Sequence, residues 1–137
     1  SKIVCLTAYT APIAKIADKC ADIILVGDSV GPVLYGHKTT RNVDMDMIIR
    51  HAKSVVKNTK EAFIVVDMPF GTYETSKHKA LENARKIISS MKKITKDNSG
   101  YDIKQLFIGS IVLPACSRIF CVNAFSLLMA GNITSCF

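Results

Sequence analysis

A chain of 137 residues with 49% hydrophobic and 21% charged residues has the size and composition of one ordinary globular domain, and it is neither disordered nor collagenous. The net charge of +7 sits largely in lysines on predicted helix faces, such as Lys53, Lys57, Lys86 and Lys93. Arginine is sparse, at Arg41, Arg50, Arg85 and Arg118, and tryptophan is absent, so the arginine and aromatic clusters of a nucleic-acid-binding face are missing. Five cysteines, Cys5, Cys20, Cys116, Cys121 and Cys136, form no C-x-x-C pair, which predicts reduced thiols and a cytoplasmic setting, with Cys5 and Cys20 as small core residues. Glycine and proline are scattered, so no linker, repeat or low-complexity block divides the chain.

Ile3 to Thr7 reads as a first strand. Pro12 suits the first turn of a following helix, whose buried face is predicted to carry Ile13, Ile16, Ala17 and Cys20. Asp22 to Val26 forms a second strand, and its aliphatic run leads into Gly27-Asp28-Ser29-Val30-Gly31-Pro32, whose glycines permit tight backbone turns and close ligand approach. After a loop through Gly36, His37, Thr39 and Thr40, apolar residues at Met45, Ile48, Ile49, Ala52, Val55 and Val56 predict an amphipathic helix capped by Asp44 or Asn42. Ala62 to Asp67 is the third strand. Ser76 is a candidate start for the next helix, with Ala80, Leu81, Ala84, Ile87, Ile88 and Met91 as its buried stripe.

Three strand and helix repeats at this spacing predict an α/β fold with a parallel sheet. Asp102 to Leu106 is the candidate for a fourth strand. From Leu106 to Phe137 the sequence is apolar without a clean period, and Pro114 and Arg118 interrupt it, which argues against a membrane span.

The second and third aliphatic runs each end in an aspartate, Asp28 and Asp67. A buried parallel strand reads as a continuous β-branched run, and a carboxylate at its C-terminal end reaches ligand where the strand leaves the core. Two such ends from consecutive units lie side by side, and a hard divalent cation is the usual means of keeping both carboxylates ionised. Strand-end capping or turn formation is the plainer reading of each aspartate. Ser29 can simply bond its own turn, and Tyr9 and Tyr73 can pack under loops. His37, His51 and His78 lack metal-ligand spacing and read as loop or helix-surface residues.

At these motifs the chain resembles the ketopantoate hydroxymethyltransferase family (3-methyl-2-oxobutanoate hydroxymethyltransferases). The resemblance rests on Leu6-Thr7-Ala8-Tyr9, Leu25-Val26-Gly27-Asp28-Ser29-Val30-Gly31, Gly36-His37, Thr39-Thr40, Val66-Asp67-Met68-Pro69-Phe70-Gly71 and Ala80-Leu81-Glu82-Asn83-Ala84, in that order. It implies a (β/α)8 TIM barrel of which this chain supplies about the first three to four βα units. It also implies Mg²⁺ on Asp28 and Asp67, and 3-methyl-2-oxobutanoate on Asp28, Ser29, Asp67 and Lys104. The implied reaction moves a hydroxymethyl group from 5,10-methylenetetrahydrofolate to the 2-oxo acid, giving ketopantoate in pantothenate synthesis. Homo-oligomers are implied, and neither nucleic acid nor membrane is an expected partner.

The family's fourth strand carries a lysine, a glutamate two residues later and then two glycines. Ile103-Lys104-Gln105-Leu106-Phe107 is the best candidate here, with Lys104 in the lysine position and Leu106 in place of the glutamate. A complete barrel needs about 250 residues, so the expectation is an N-terminal portion with little or no transferase activity of its own. Residues 1–105 are expected to form the partial barrel and residues 106–137 a divergent apolar tail. Two alternatives stay open: another Mg²⁺-dependent 2-oxo acid barrel enzyme of the lyase and mutase group, or a non-enzymatic truncated remnant.

Overall fold

The structure, a computed structural model, describes residues 3–97 and 106–109. Its elements alternate as the periodicity predicts: β1 Cys5–Thr7, α1 Ala11–Ala17, β2 Ile23–Val26, α2 Val30–Tyr35, a short 3-10 turn Thr40–Asn42, α3 Met45–Val56, β3 Phe63–Asp67, α4 Lys77–Asp97 and β4 Leu106–Gly109. The four strands form one parallel sheet in the order β1-β2-β3-β4. Each strand lies beside its predecessor, and with the right-handed crossovers that parallel strands almost always make, such an order puts the connecting helices on one face.

That face is where the core sits. Ile24 and Val26 of β2 stand in register with Ile64 and Val66 of β3, and all four are buried with Ile48, Val55, Ile87 and Met91. The alternate residues of β3, Phe63, Val65 and Asp67, share the opposite face and are only half-buried. The helices start where their caps predict. Asp44 Oδ1 accepts from the Met47 N–H at 2.7 Å, settling the choice between Asp44 and Asn42, and Ser76 Oγ accepts from the Lys79 N–H at 3.1 Å.

Four features depart from the sequence reading. Gly27 to Pro32 is a turn at Asp28 and Ser29 only, because Val30–Tyr35 closes into a six-residue helix. Pro32 falls in its first turn, where a missing N–H costs little, and Gly36 ends it at φ 65°, a left-handed conformation that glycine adopts without a Cβ clash. In α1 the buried residues are Ala14 and Ala17, while Ile13 and Ile16 are 49% and 63% exposed. The helix turns its small residues inward, where α1 meets α3. Cys5 and Cys20 are exposed rather than core, because β1 is the edge of the described sheet and Cys20 lies past the end of α1. Leu81 is half exposed although its stripe partners Ile87 and Met91 are fully buried.

A fourth strand is present and is described from Leu106 onward. Of the predicted strand Asp102 to Leu106, Leu106 falls in β4, Leu106–Gly109, and residues 102–105 lie outside the described residues; β4 pairs Ile64 with Leu106 and Asp67 with Gly109. The sheet therefore extends beyond residue 105. Leu106 stands three register positions below Asp67, at the level of Ile64 and not at the strand end. Lys104 lies outside the described residues, as do residues 110–137.

The N-terminal ends of the strands are tied by two aspartates. Asp22 Oδ2 accepts from the Val4 N–H at 2.8 Å, joining β1 to β2. Asp18, after α1, accepts from three successive backbone N–H groups, Lys60 at 2.8 Å, Glu61 at 2.9 Å and Ala62 at 2.8 Å, just before β3. Its partial burial alone would raise its pKa, but these N–H donors and the Lys60 charge outweigh that and hold the carboxyl below its ordinary value. A carboxyl whose native pKa is depressed stabilises the fold above its unfolded value near 3.8, and the contribution fades as pH falls through the native pKa. Asp18→Ala is expected to cost about 1–2 kcal/mol at pH 7, a figure kept modest because the carboxylate is partly solvated. Urea unfolding should show that deficit at pH 7 and a smaller one at pH 3.

Candidate functional site

The C-terminal ends of the strands form the opposite rim. The register Val26 to Val66 brings the chain out of β2 and β3 at one level, so Gly27 and Asp28 leave β2 beside Asp67. The Asp28 N–H points to Asp67 Oδ2 at 3.4 Å. Ser29 follows at the start of α2, and its Oγ lies 2.5 Å from the Tyr9 hydroxyl, which reaches over from the connection between β1 and α1.

Gly27 allows this crowding. A Cβ at residue 27 would stand 3.0 Å from Ser29 Oγ and 3.1 Å from Asp67 Oδ2. Those two oxygens thus border one small space that only a glycine leaves open. Any side chain there would press on both.

Asp67 carries the electrostatic strain of the rim. Its residue is half-buried, but Oδ1 is fully enclosed and, among the described residues, has no hydrogen-bond partner. Desolvation, reinforced by the nearby Asp28 charge and opposed only by the Asp28 N–H, pushes its carboxyl up to about 7. An enclosed carboxylate oxygen without a donor is costly unless a proton or a cation meets it.

A hard cation fits that donor set. Both side chains offer carboxylate oxygens, the ligand type that Mg²⁺ prefers, and the orphaned Oδ1 is a vacant acceptor. No cluster of three or more His, Cys, Asp or Glu residues suited to a metal occurs among the described residues. Two carboxylates leave most of an octahedral shell to water and ligand oxygens, which is how Mg²⁺ is commonly held.

Of the residues singled out by sequence, Asp28, Ser29 and Asp67 come together, and Lys104 lies outside the described residues. Two others matter more than their sequence context suggested. Tyr9 is buried, with its hydroxyl on Ser29. His51 is not a free surface residue of α3: its Nδ1 lies 2.7 Å from the Tyr9 carbonyl and its Nε2 3.0 Å from the Tyr35 hydroxyl. The sequence signal for His51 was weak, since its partners are 42 and 16 residues away in the chain. Tyr73 packs against the core, and the Asn83 side chain donates to the Thr72 carbonyl at 2.6 Å, steadying the loop after β3.

Fold and rim together define an α/β protein with paired carboxylates at the C-terminal ends of adjacent parallel strands, the usual location for ligand in such sheets. A family model described as ketopantoate hydroxymethyltransferase matches residues 1–111. The chain belongs to that family. It is 50% identical over 88 residues to the 3-methyl-2-oxobutanoate hydroxymethyltransferase of Agrobacterium fabrum, covering 64% of this chain and 32% of the relative. The enzymes of that name from Rhizobium etli and Bartonella tribocorum are each 54% identical, over 86 and 87 residues, or 63% and 64% of this chain and 32% of each relative. The chain thus spans about a third of the length of these curated relatives.

The raised Asp67 pKa has a definite consequence for stability. A group whose native pKa lies above its unfolded value stabilises the fold fully below the unfolded value near 3.8, and that contribution is lost as pH rises through about 7. Without added metal the protein should therefore weaken between pH 4 and pH 7, and Asp67→Asn should flatten this slope. Parallel urea titrations across that range measure it; an unchanged slope in the variant would refute the assignment.

Proposed function

We propose that this chain carries the metal-binding and 2-oxo acid-binding rim of a hydroxymethyltransferase. The observation that carries this reading is the enclosed Asp67 Oδ1, without a partner among the described residues, beside Asp28 at the ends of two neighbouring strands, in a chain of this family. Asp28 and Asp67 would hold Mg²⁺, and Asp28, Ser29 and Asp67 would contact 3-methyl-2-oxobutanoate. Lys104 belongs to the same proposal by its motif alone. The relatives' name gives 3-methyl-2-oxobutanoate and hydroxymethyl transfer; 5,10-methylenetetrahydrofolate as the one-carbon donor and ketopantoate as the product complete the proposal.

The strand order supports a partial (β/α)8 barrel as the setting. An order that never reverses keeps all helices on one face and leaves the other to curve inward, whereas a doubly wound sheet reverses and is covered on both sides. Phe63, Val65 and Asp67 lie on the helix-free face, where a barrel's interior side chains would be.

Each residue has a distinct task. Asp28 and Asp67 supply anionic oxygens, and the desolvation at Asp67 makes its affinity for positive charge high. The Ser29 hydroxyl, held on the rim by Tyr9, can donate to an oxygen of the oxo acid. Gly27 keeps the approach open between Ser29 and Asp67. Bound Mg²⁺ would supply Lewis-acid polarisation of the ketone, which acidifies the adjacent carbon. No proton-abstracting base is assigned among the described residues. No described helix is long and apolar enough to cross a membrane.

Calorimetric titration of 3-methyl-2-oxobutanoate into the chain, with and without Mg²⁺, tests the proposal. Binding is expected only with Mg²⁺, tightening as pH rises through about 7 because a proton on Asp67 competes with the cation. Asp28→Asn and Asp67→Asn should each weaken it at least tenfold, as expected for loss of an anionic metal ligand. Equal binding without the metal, or by the Asp67 variant, would refute it.

A further inference from the structure

The Ser29 backbone is tied into α2 through the Val33 N–H, but its side chain has one hydrogen bond among the described residues. Ser29 opens the short helix α2, its side chain makes no capping bond to that helix, and its Oγ meets the Tyr9 hydroxyl at 2.5 Å. Tyr9 in turn is 7% exposed, so the phenol approaches from inside the fold rather than from solvent. The connection carrying Tyr9 is pinned at its other end. His51, one turn before the end of α3, stands 2.7 Å from the Tyr9 carbonyl.

Hydrogen-bond chemistry gives this chain of contacts a direction. A carbonyl oxygen only accepts, so His51 Nδ1 is the donor to Tyr9. In the neutral ring Nε2 then lacks a proton and accepts from the Tyr35 hydroxyl at 3.0 Å. Between Tyr9 and Ser29 the phenol is the more acidic hydroxyl and therefore the better donor. With the Tyr9 proton on Ser29 Oγ, the serine's own proton must point elsewhere. The same Oγ borders the space above Gly27 that Asp67 Oδ2 shares.

We infer that Tyr9 and His51 are positioning residues: His51 fixes the backbone of Tyr9, and the Tyr9 phenol donates to Ser29 so that the serine proton is directed to an anionic ligand oxygen on the Asp28 and Asp67 rim. The ligand class, a 2-oxo acid carboxylate, rests on the function proposed above; the relay itself rests on the contacts alone. Neither Tyr9 nor His51 touches the ligand in this arrangement. Both act through Ser29, and their effects should disappear once Ser29 has no hydroxyl to orient.

A double-mutant cycle tests this, read by Mg²⁺-dependent binding of 3-methyl-2-oxobutanoate to the full chain. Tyr9→Phe and Ser29→Ala should each weaken binding about tenfold, and the double variant should be no weaker than Ser29→Ala. His51→Ala should behave like Tyr9→Phe. His51→Asn, whose amide N–H can occupy the place of Nδ1, should recover most of the loss. Additive losses for Tyr9 and Ser29, or full binding by Tyr9→Phe, would overturn the relay. Should Tyr9→Phe fail to fold, the cycle of His51→Ala with Ser29→Ala makes the same comparison.

A second readout is independent of the ligand. The ¹³Cζ resonance of Tyr9, which reports on its hydroxyl hydrogen bond, should move in Ser29→Ala and in His51→Ala but return towards the parent position in His51→Asn. If the parent chain binds no oxo acid with Mg²⁺, the functional reading fails and this resonance alone decides: movement upholds the relay, and an unmoved signal overturns it.

Discussion

The register between β2 and β3 is the constraint on which the rest of the molecule depends. Backbone hydrogen bonds align Ile24 with Ile64 and Val26 with Val66, and the pleat then sends all four side chains into the layer beneath α3 and α4. A slip of one residue would turn this apolar set out of the core, so burial enforces the pairing strongly. The same register brings both strands to an end at one level. Asp28 and Asp67 meet there because hydrophobic packing lower in the sheet leaves them no other place.

Opposite ends of the sheet use aspartate in opposite ways. At the N-terminal ends, Asp18 and Asp22 are satisfied by backbone N–H groups and join segments distant in sequence. Charge there is balanced, and the pKa of Asp18 falls. At the C-terminal ends, Asp67 receives one long N–H contact, has an enclosed oxygen with no partner among the described residues and faces a second carboxylate, and its pKa rises. A fold selected for stability alone would have no use for that arrangement. Strain of this kind is typical of ligand sites, where the missing partner is supplied from outside.

Local chemistry made the caps and strand cores legible. Asp44 and Ser76 cap their helices, and the β-branched runs form β2 and β3, because each depends on residues a few positions apart. The α1 face was misread for a different reason. Ile13 and Ile16 have the right spacing for a core stripe, yet Ala14 and Ala17 are what the approach of α3 buries.

By itself the sequence determined the α/β class, the family and the identities of the rim residues, because aliphatic runs, capping residues and ordered motifs are properties of neighbouring positions. Tertiary structure decided what those residues do to one another. Only strand pairing sets Asp28 beside Asp67, only the space over Gly27 joins Ser29 to that pair, and only the packing of α3 against the β1 to α1 connection brings His51 to Tyr9. The reason is physical: hydrogen bonding and desolvation act over a few ångströms in space, and the residues concerned lie tens of positions apart along the chain.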